Sequence, residues 1–130
     1  MTEVAKALAS FYGGFRIPAY EEYSVPDDAE LPYITYTVPQ GDAFQSATHQ
    51  ARVWYATDKG APSNVQVNAK ADEILAAIGR GVRLPAGQGY VIIYPGTGTL
   101  AQNQPSDDGT RIVYLNLEIR CYVWTRSDKR

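Results

Sequence analysis

The chain has 130 residues, enough for one domain with a core that needs no staples. Hydrophobic residues make up 45% and charged residues 20%, an ordinary globular composition, and a single cysteine excludes an internal disulfide framework. The formal net charge of −2 argues against electrostatic gripping of nucleic acid, and no apolar run approaches the roughly 20 residues that span a bilayer.

The N-terminal MTEVAKALASFYGG lacks the apolar centre of a signal peptide and reads as cytosolic when made. Thr2 can cap a first helix with Val4, Leu8 and Phe11 on one stripe, and Gly13-Gly14 ends it. FRIPAYEEY, residues 15–23, alternates loosely around Pro18 and predicts a short edge strand or extended segment. Glu21, Glu22, Asp27, Asp28 and Glu30 then place five carboxylates within ten residues. A calcium loop would alternate its oxygen ligands more tightly about a central glycine, so a solvated acidic loop is the favoured reading over a cation site.

Residues 33–38, YITYTV, form a strand by composition and alternation. A connection at 40–46 carries an isolated Phe44, either a folded-back core residue or an anchor for a partner. The next strand spans about 47–56, with Ala51, Val53 and Tyr55 opposed to Gln50, Arg52 and Trp54. A helix from about 64 to 78 sets Val67, Ala71, Ile74, Leu75 and Ile78 on one stripe, closed by a left-handed cap at Gly79-Arg80-Gly81. Residues 82–85 are short and extended. Residues 90–94, YVIIY, make a compact strand that is apolar on both sides, and 100–109 make an exposed excursion.

Everything is organised around the last strand, from about Thr110 to Trp124. Val113, Leu115, Leu117, Ile119, Cys121 and Val123 fall on one face, and Tyr114, Asn116, Glu118, Arg120, Tyr122 and Trp124 on the other. At ~3.3 Å per residue such a strand runs about 45 Å and needs neighbours on both sides. The fold class expected is α+β, a mainly antiparallel sheet of four or five strands with two helices packed on one face. The second face, mixing charge with aromatic rings, has no assured cover, and this points to association between copies of the chain. Charge is also uneven: residues 1–60 carry eight acids and four bases, residues 61–130 six acids and eight bases.

No chemistry-bearing constellation emerges. His49 is the only histidine and shares a strand side with Ala51 and Val53, the pattern of a satisfied strand histidine. No G-x-S-x-G is present, Cys121 sits mid-strand on the apolar face as a small hydrophobe, and one His with one Cys makes no zinc site. Gly96-Thr97-Gly98 lacks the Lys-Ser/Thr of a phosphate loop and reads as a turn, as does Asp107-Asp108-Gly109. Arg111, Arg120 and Arg126 are too few for a nucleic-acid stripe and read as partners for acids on a neighbouring subunit. The chain is read as a non-enzyme.

Several stretches, in order, carry a family likeness: IPAYEE (17–22), VPDDAELPYITYTV (25–38), ARVWY (51–55), KADEILAAIG (70–79), YVIIYPGT (90–97), Gln102 and IVYLNLEIR (112–120). With them the chain resembles the small tail terminator, or tail completion, proteins of long-tailed bacteriophages, also labelled minor capsid proteins. The polar 98–109 excursion and the tail after Tyr122 depart from that pattern. The resemblance implies a virion structural protein, made in the host cytoplasm, that forms a ring, typically a hexamer, at the head-proximal end of the tail tube. Such a ring ends tube polymerisation, meets the head-tail connector protein, and lets DNA pass without specific binding; no cofactor, metal or membrane is implied. Expected interface residues are Asp42, Phe44, Gln45, Arg52, Trp54, Leu100, Gln102, Arg111, Glu118 and Arg120, with the 40–46 and 97–109 segments reaching tube or connector. The alternatives are another head-completion or connector component, or a small enzyme or ligand-binding module with a pocket between helices and sheet.

Overall fold

A computed structural model describes residues 2–39, 47–56, 63–96, 102–105 and 110–122. The elements run α1 (Thr2–Tyr12), a 3₁₀ turn (Gly13–Phe15), β1 (Ala19–Glu21), β2 (Tyr33–Tyr36), β3 (Ala47–Ala56), α2 (Ser63–Ile78), β4 (Val82–Ala86), β5 (Gly89–Pro95), β6 (Gln102–Pro105) and β7 (Thr110–Tyr122). All strands join one mixed sheet in the order β1-β2-β3-β7-β5-β4, so β1 and β4 are its opposite edges. Among the described strands only β1 and β2 pair in parallel; their connection, residues 22–32, is close to the length a parallel crossover requires.

The α+β class and the two helices agree with expectation, but the strand count does not. Among the described residues the sheet has seven strands rather than four or five. Residues 82–86 are a full strand, closed onto β5 by a hairpin with Ala86 opposite Gly89. Gly87 turns that hairpin at a φ of 57°, and a Cβ there would lie 2.9 Å from Glu3 Cγ, so glycine serves both the turn and the approach of α1. Residues 102–105, expected to be part of an exposed excursion, are the short strand β6. It pairs Gln102–Pro105 with Tyr114–Arg111, while β5 pairs Tyr90–Pro95 with Tyr122–Leu117. The two strands therefore share one flank of β7, end to end, and the sheet is six positions wide with seven strands.

β3 and β7 form the spine, ten residue pairs from Ala47↔Ile119 to Ala56↔Thr110. Their inward sets, His49, Ala51 and Val53 with Val113, Leu115, Leu117, Ile119 and Cys121, are buried together with Val91 and Ile93 of β5 and Ile34 and Tyr36 of β2. α2 lays Val67, Ala71, Ile74 and Ile78 on this face, against β3, β7 and β5. α1 adds Val4, Ala7, Leu8 and Tyr12 and touches β4, β5 and β1. Each fully buried Leu or Ile here contributes about 1.5–3 kcal/mol.

Gly13-Gly14 does not end the first helix outright. The chain tightens into the 3₁₀ turn, buries Phe15, and leaves it at Arg16 with a left-handed φ of 69°. α2 holds that turn: Lys70 Nζ, on a side chain 11% exposed, donates to the Phe15 carbonyl at 2.7 Å and to Glu73 Oε1 at 3.1 Å. α2 itself ends as expected, with Gly79 at φ 57° donating to the Leu75 carbonyl.

Candidate functional site

The helices cover one face of the sheet and none of the described elements covers the other. On that open face, strand register arranges the side chains in two clusters. Towards β1 and β2, Tyr20 packs edge-on to Tyr33 with centroids 5.7 Å apart, and Tyr33 packs on Trp54 at 5.8 Å. The Trp54 indole N–H donates to Thr35 Oγ1 at 2.9 Å, which fixes the ring on the sheet. Arg52 donates twice to Gln50 Oε1, at 2.8 and 3.0 Å, Gln50 Nε2 donates to Asn116 Oδ1 at 3.1 Å, and the Arg52 guanidinium lies 5.2 Å from the Tyr114 ring centroid. Ile112, in register with Trp54, is buried although it belongs to the open face.

The second cluster lies towards β4. Arg83, Ile92 and Arg120 form one row across β4, β5 and β7, and Pro85, Tyr90 and Tyr122 form the next. The Arg83 guanidinium stands 3.9 Å over the Tyr90 ring, Tyr90 stacks on Tyr122 at 4.9 Å, and Arg120 Nη1 donates to the Tyr122 hydroxyl at 3.2 Å. The result is a continuous Arg-Tyr-Tyr-Arg ladder held by contacts within the chain. The hydrogen bond to Tyr122, with Tyr94 and the Glu118 carboxylate nearby, holds Arg120 still more firmly protonated. The strands of the open face carry Arg52, Arg83 and Arg120 against one carboxylate, Glu118, although the whole chain is negative. Tyr, Trp and Arg are the residues that dominate protein interfaces, because they bury large area at low entropic cost and keep a polar handle.

The one histidine is a core residue. His49 is fully buried; its Nε2 lies 2.8 Å from Tyr12 Oη and its Nδ1 3.0 Å from Thr37 Oγ1, which also accepts the Gln50 N–H at 3.1 Å. Burial lowers its pKa to about 4, only partly offset by the Thr37 contact, so the ring is neutral at pH 7. Tyr12 stacks on Tyr36 at 5.0 Å, and burial raises the Tyr12 pKa strongly, with Tyr36 adding to it. Cys121 faces the core, burial pushes its thiol up, and it is no partner for His49, which sits opposite Leu117, about 13 Å along β7.

Among the described residues, no group of three or more His, Cys, Asp and Glu is placed to hold a metal ion. In the acidic run, Glu21 accepts the Tyr23 N–H at 2.7 Å and the Ser24 hydroxyl at 3.4 Å, and Tyr23 stands 89% exposed beside it. An open groove of about 530 Å³ separates this run from β3, lined by Glu22, Tyr23, Thr37, Thr48, Gln50 and Arg52 among others. No described helix is long and apolar enough to cross a membrane.

Of the expected interface residues, Asp42, Phe44, Gln45 and Leu100 lie outside the described residues. Gln102 is on β6 and Arg111 on β7, where Arg111 pairs with Pro105 and Tyr55. Arg52, Trp54, Glu118 and Arg120 do share the open face, but split between its two clusters. Arg83, Tyr90 and Ile92 were not among the expected residues. The signal that finds them is the alternation Tyr90, Ile92, Tyr94 in β5 once β4 is recognised as a strand beside it.

No protein-family model matches the chain, and no curated protein matches it. A solved structure whose designation names no activity superposes with a TM-score of 0.53 over 96% of this chain and 94% of its own, at 15% identity. That likeness shows a shared α+β fold over nearly the whole of both chains.

Proposed function

We propose that the chain is a structural subunit of a bacteriophage neck, a tail-terminator-type protein whose copies close a ring, a hexamer, on the head-proximal end of the tail tube. The ring ends tube growth, presents a surface to the head-tail connector and lets DNA pass. It performs no reaction and needs no cofactor. The observation that carries this is the open sheet face, six strands wide and furnished with pre-positioned Tyr, Trp and Arg side chains. The ordered sequence likeness to tail terminator proteins supplies the class of assembly. A net charge of −2 suits a passage that conducts DNA without holding it.

The test is to polymerise purified tail tube protein with and without this chain and measure tube lengths by electron microscopy. Short tubes bearing the chain at one end are expected. Unchanged lengths at a molar excess of the chain, or binding along the whole tube, would overturn the proposal.

A further inference from the structure

The two sheet edges differ in charge as well as in position. Between Arg16 and Arg52 the sequence has no Lys or Arg, and it places Glu21, Glu22, Asp27, Asp28 and Glu30 on β1 and the connector that follows it. Between Glu73 and Asp107 it has no Asp or Glu, and there it places Arg80 and Arg83 at the start of β4 and on it. Since β1 and β4 are opposite edges, the acidic and basic regions are held apart within one chain. None of the ion pairs among the described residues joins them. Asp27, Asp28 and Glu30 are exposed, as are Arg80 and Arg83.

We infer that the Arg83–Tyr90–Tyr122–Arg120 ladder of one copy receives the 22–30 connector of a second copy, in a head-to-tail contact between opposite sheet edges. The chemistry on the two sides is complementary. The ladder offers two guanidiniums flanking half-buried Ile92 in one row, with tyrosine rings in the next. The connector offers carboxylates around Tyr23, a large side chain that stands 89% exposed. An aromatic anchor set in a charged rim is the composition of an interface hot spot. Such a contact is heterologous: each copy uses its β4 edge towards one neighbour and its β1 edge towards the other, so repetition closes a ring or extends a filament. The assignment deepens the ring reading above and rests on the same open face, but its test reads association alone.

Sedimentation equilibrium of the full chain, at rising concentration in low and high salt, gives the mass. Low-salt association that weakens with added salt is expected, because the contacts lie at the surface. Arg83→Glu, and separately the pair Asp27→Lys with Asp28→Lys, each weaken it by roughly tenfold or more. All these positions are exposed, and circular dichroism checks that both variants keep the fold. Mixing the two variants is the discriminating step: each retains one intact edge, so the mixture associates at concentrations where neither variant does alone. A wild type that stays monomeric at low salt, an Arg83→Glu protein that associates like wild type, or a mixture that stays monomeric would each overturn the inference. A monomeric wild type that binds tail tube, with an Arg83→Glu variant that does not, would give the ladder to the tube protein instead. Wild type and Arg83→Glu capping tubes equally would leave the ring reading standing and remove this contact.

Discussion

On β7, Val113, Leu115, Leu117, Ile119 and Cys121 face the helices, while Tyr114, Asn116, Glu118, Arg120 and Tyr122 face away from them. Both sets come from one alternating strand, yet they are stabilised differently. The covered side relies on complete burial and on polar groups that find partners within the chain, as in the Tyr12–His49–Thr37 chain. The open side is half-buried and held by ring stacking, cation–ring contacts and side-chain hydrogen bonds along the surface. The covered face carries the complete burial, and the open face holds its side chains by contacts that leave them half exposed to solvent.

If this division is right, truncations on the two faces should separate. Leu115→Ala removes a fully buried side chain beneath α2 and should cost about 2–5 kcal/mol in urea unfolding. Tyr122→Ala removes a stacked ring from the open face and should cost about 1 kcal/mol or less in the monomer. Equal costs would erase the distinction between the faces.

On the covered face, His49 is buried as a neutral ring. Its pKa is about 4 folded against 6.5 in the unfolded chain, so below pH 6.5 the unfolded state binds the extra proton. The stability due to neutral His49 is complete above pH 6.5 and declines as pH falls towards 4, a loss of about 3 kcal/mol. Because carboxylates titrate over the same range, the quantity to measure is the difference between wild type and His49→Gln at pH 7, 5 and 4. Wild type should show the steeper decline, and parallel pH profiles would mean that the ring is not buried as a neutral base.

Tyr12→Phe keeps the ring stack on Tyr36 but leaves His49 Nε2 without its partner, a cost of about 1–3 kcal/mol by chemical denaturation. A smaller loss would mean that water reaches the imidazole. The smallest effect belongs to Arg83→Glu, which should change monomer stability by only about 0.5–1 kcal/mol through its lost contact with Tyr90.

The parts of the fold legible in the sequence are those with long, regular periodicity. β3, α2 and β7 follow from the alternation of Ala51, Val53 and Tyr55, the stripe from Val67 to Ile78, and the run from Val113. The separation of β7 into two faces, with Cys121 inward and Arg120 outward, follows from the same period. β4 was legible only as a short extended segment at 82–85, and β6 not at all, because both are short and Pro85 and Pro105 interrupt the strand signal. They exist because a longer strand offers them a flank, as β7 does for Gln102–Pro105. The 3₁₀ turn at Gly13–Phe15 depends on Lys70, 55 residues later, and no local signal announces it. At the candidate site, Arg52, Trp54, Glu118 and Arg120 were legible as outward residues. The Arg83–Tyr90–Tyr122–Arg120 ladder was not, because it is defined only by the registers of three strands distant in sequence. β5, expected to be apolar on both sides, lies inside the sheet between β7 and β4, with Tyr90, Ile92 and Tyr94 on its open side.

The most direct measurement is hydroxyl-radical footprinting of the intact protein at low and at high concentration, read residue by residue by mass spectrometry. Tyr23, Tyr90 and Tyr122 should become protected together as concentration rises, while Val65, exposed on α2, stays equally reactive. Protection confined to the helical side, or tyrosine reactivity that does not change while the mass of the particle increases, would contradict it.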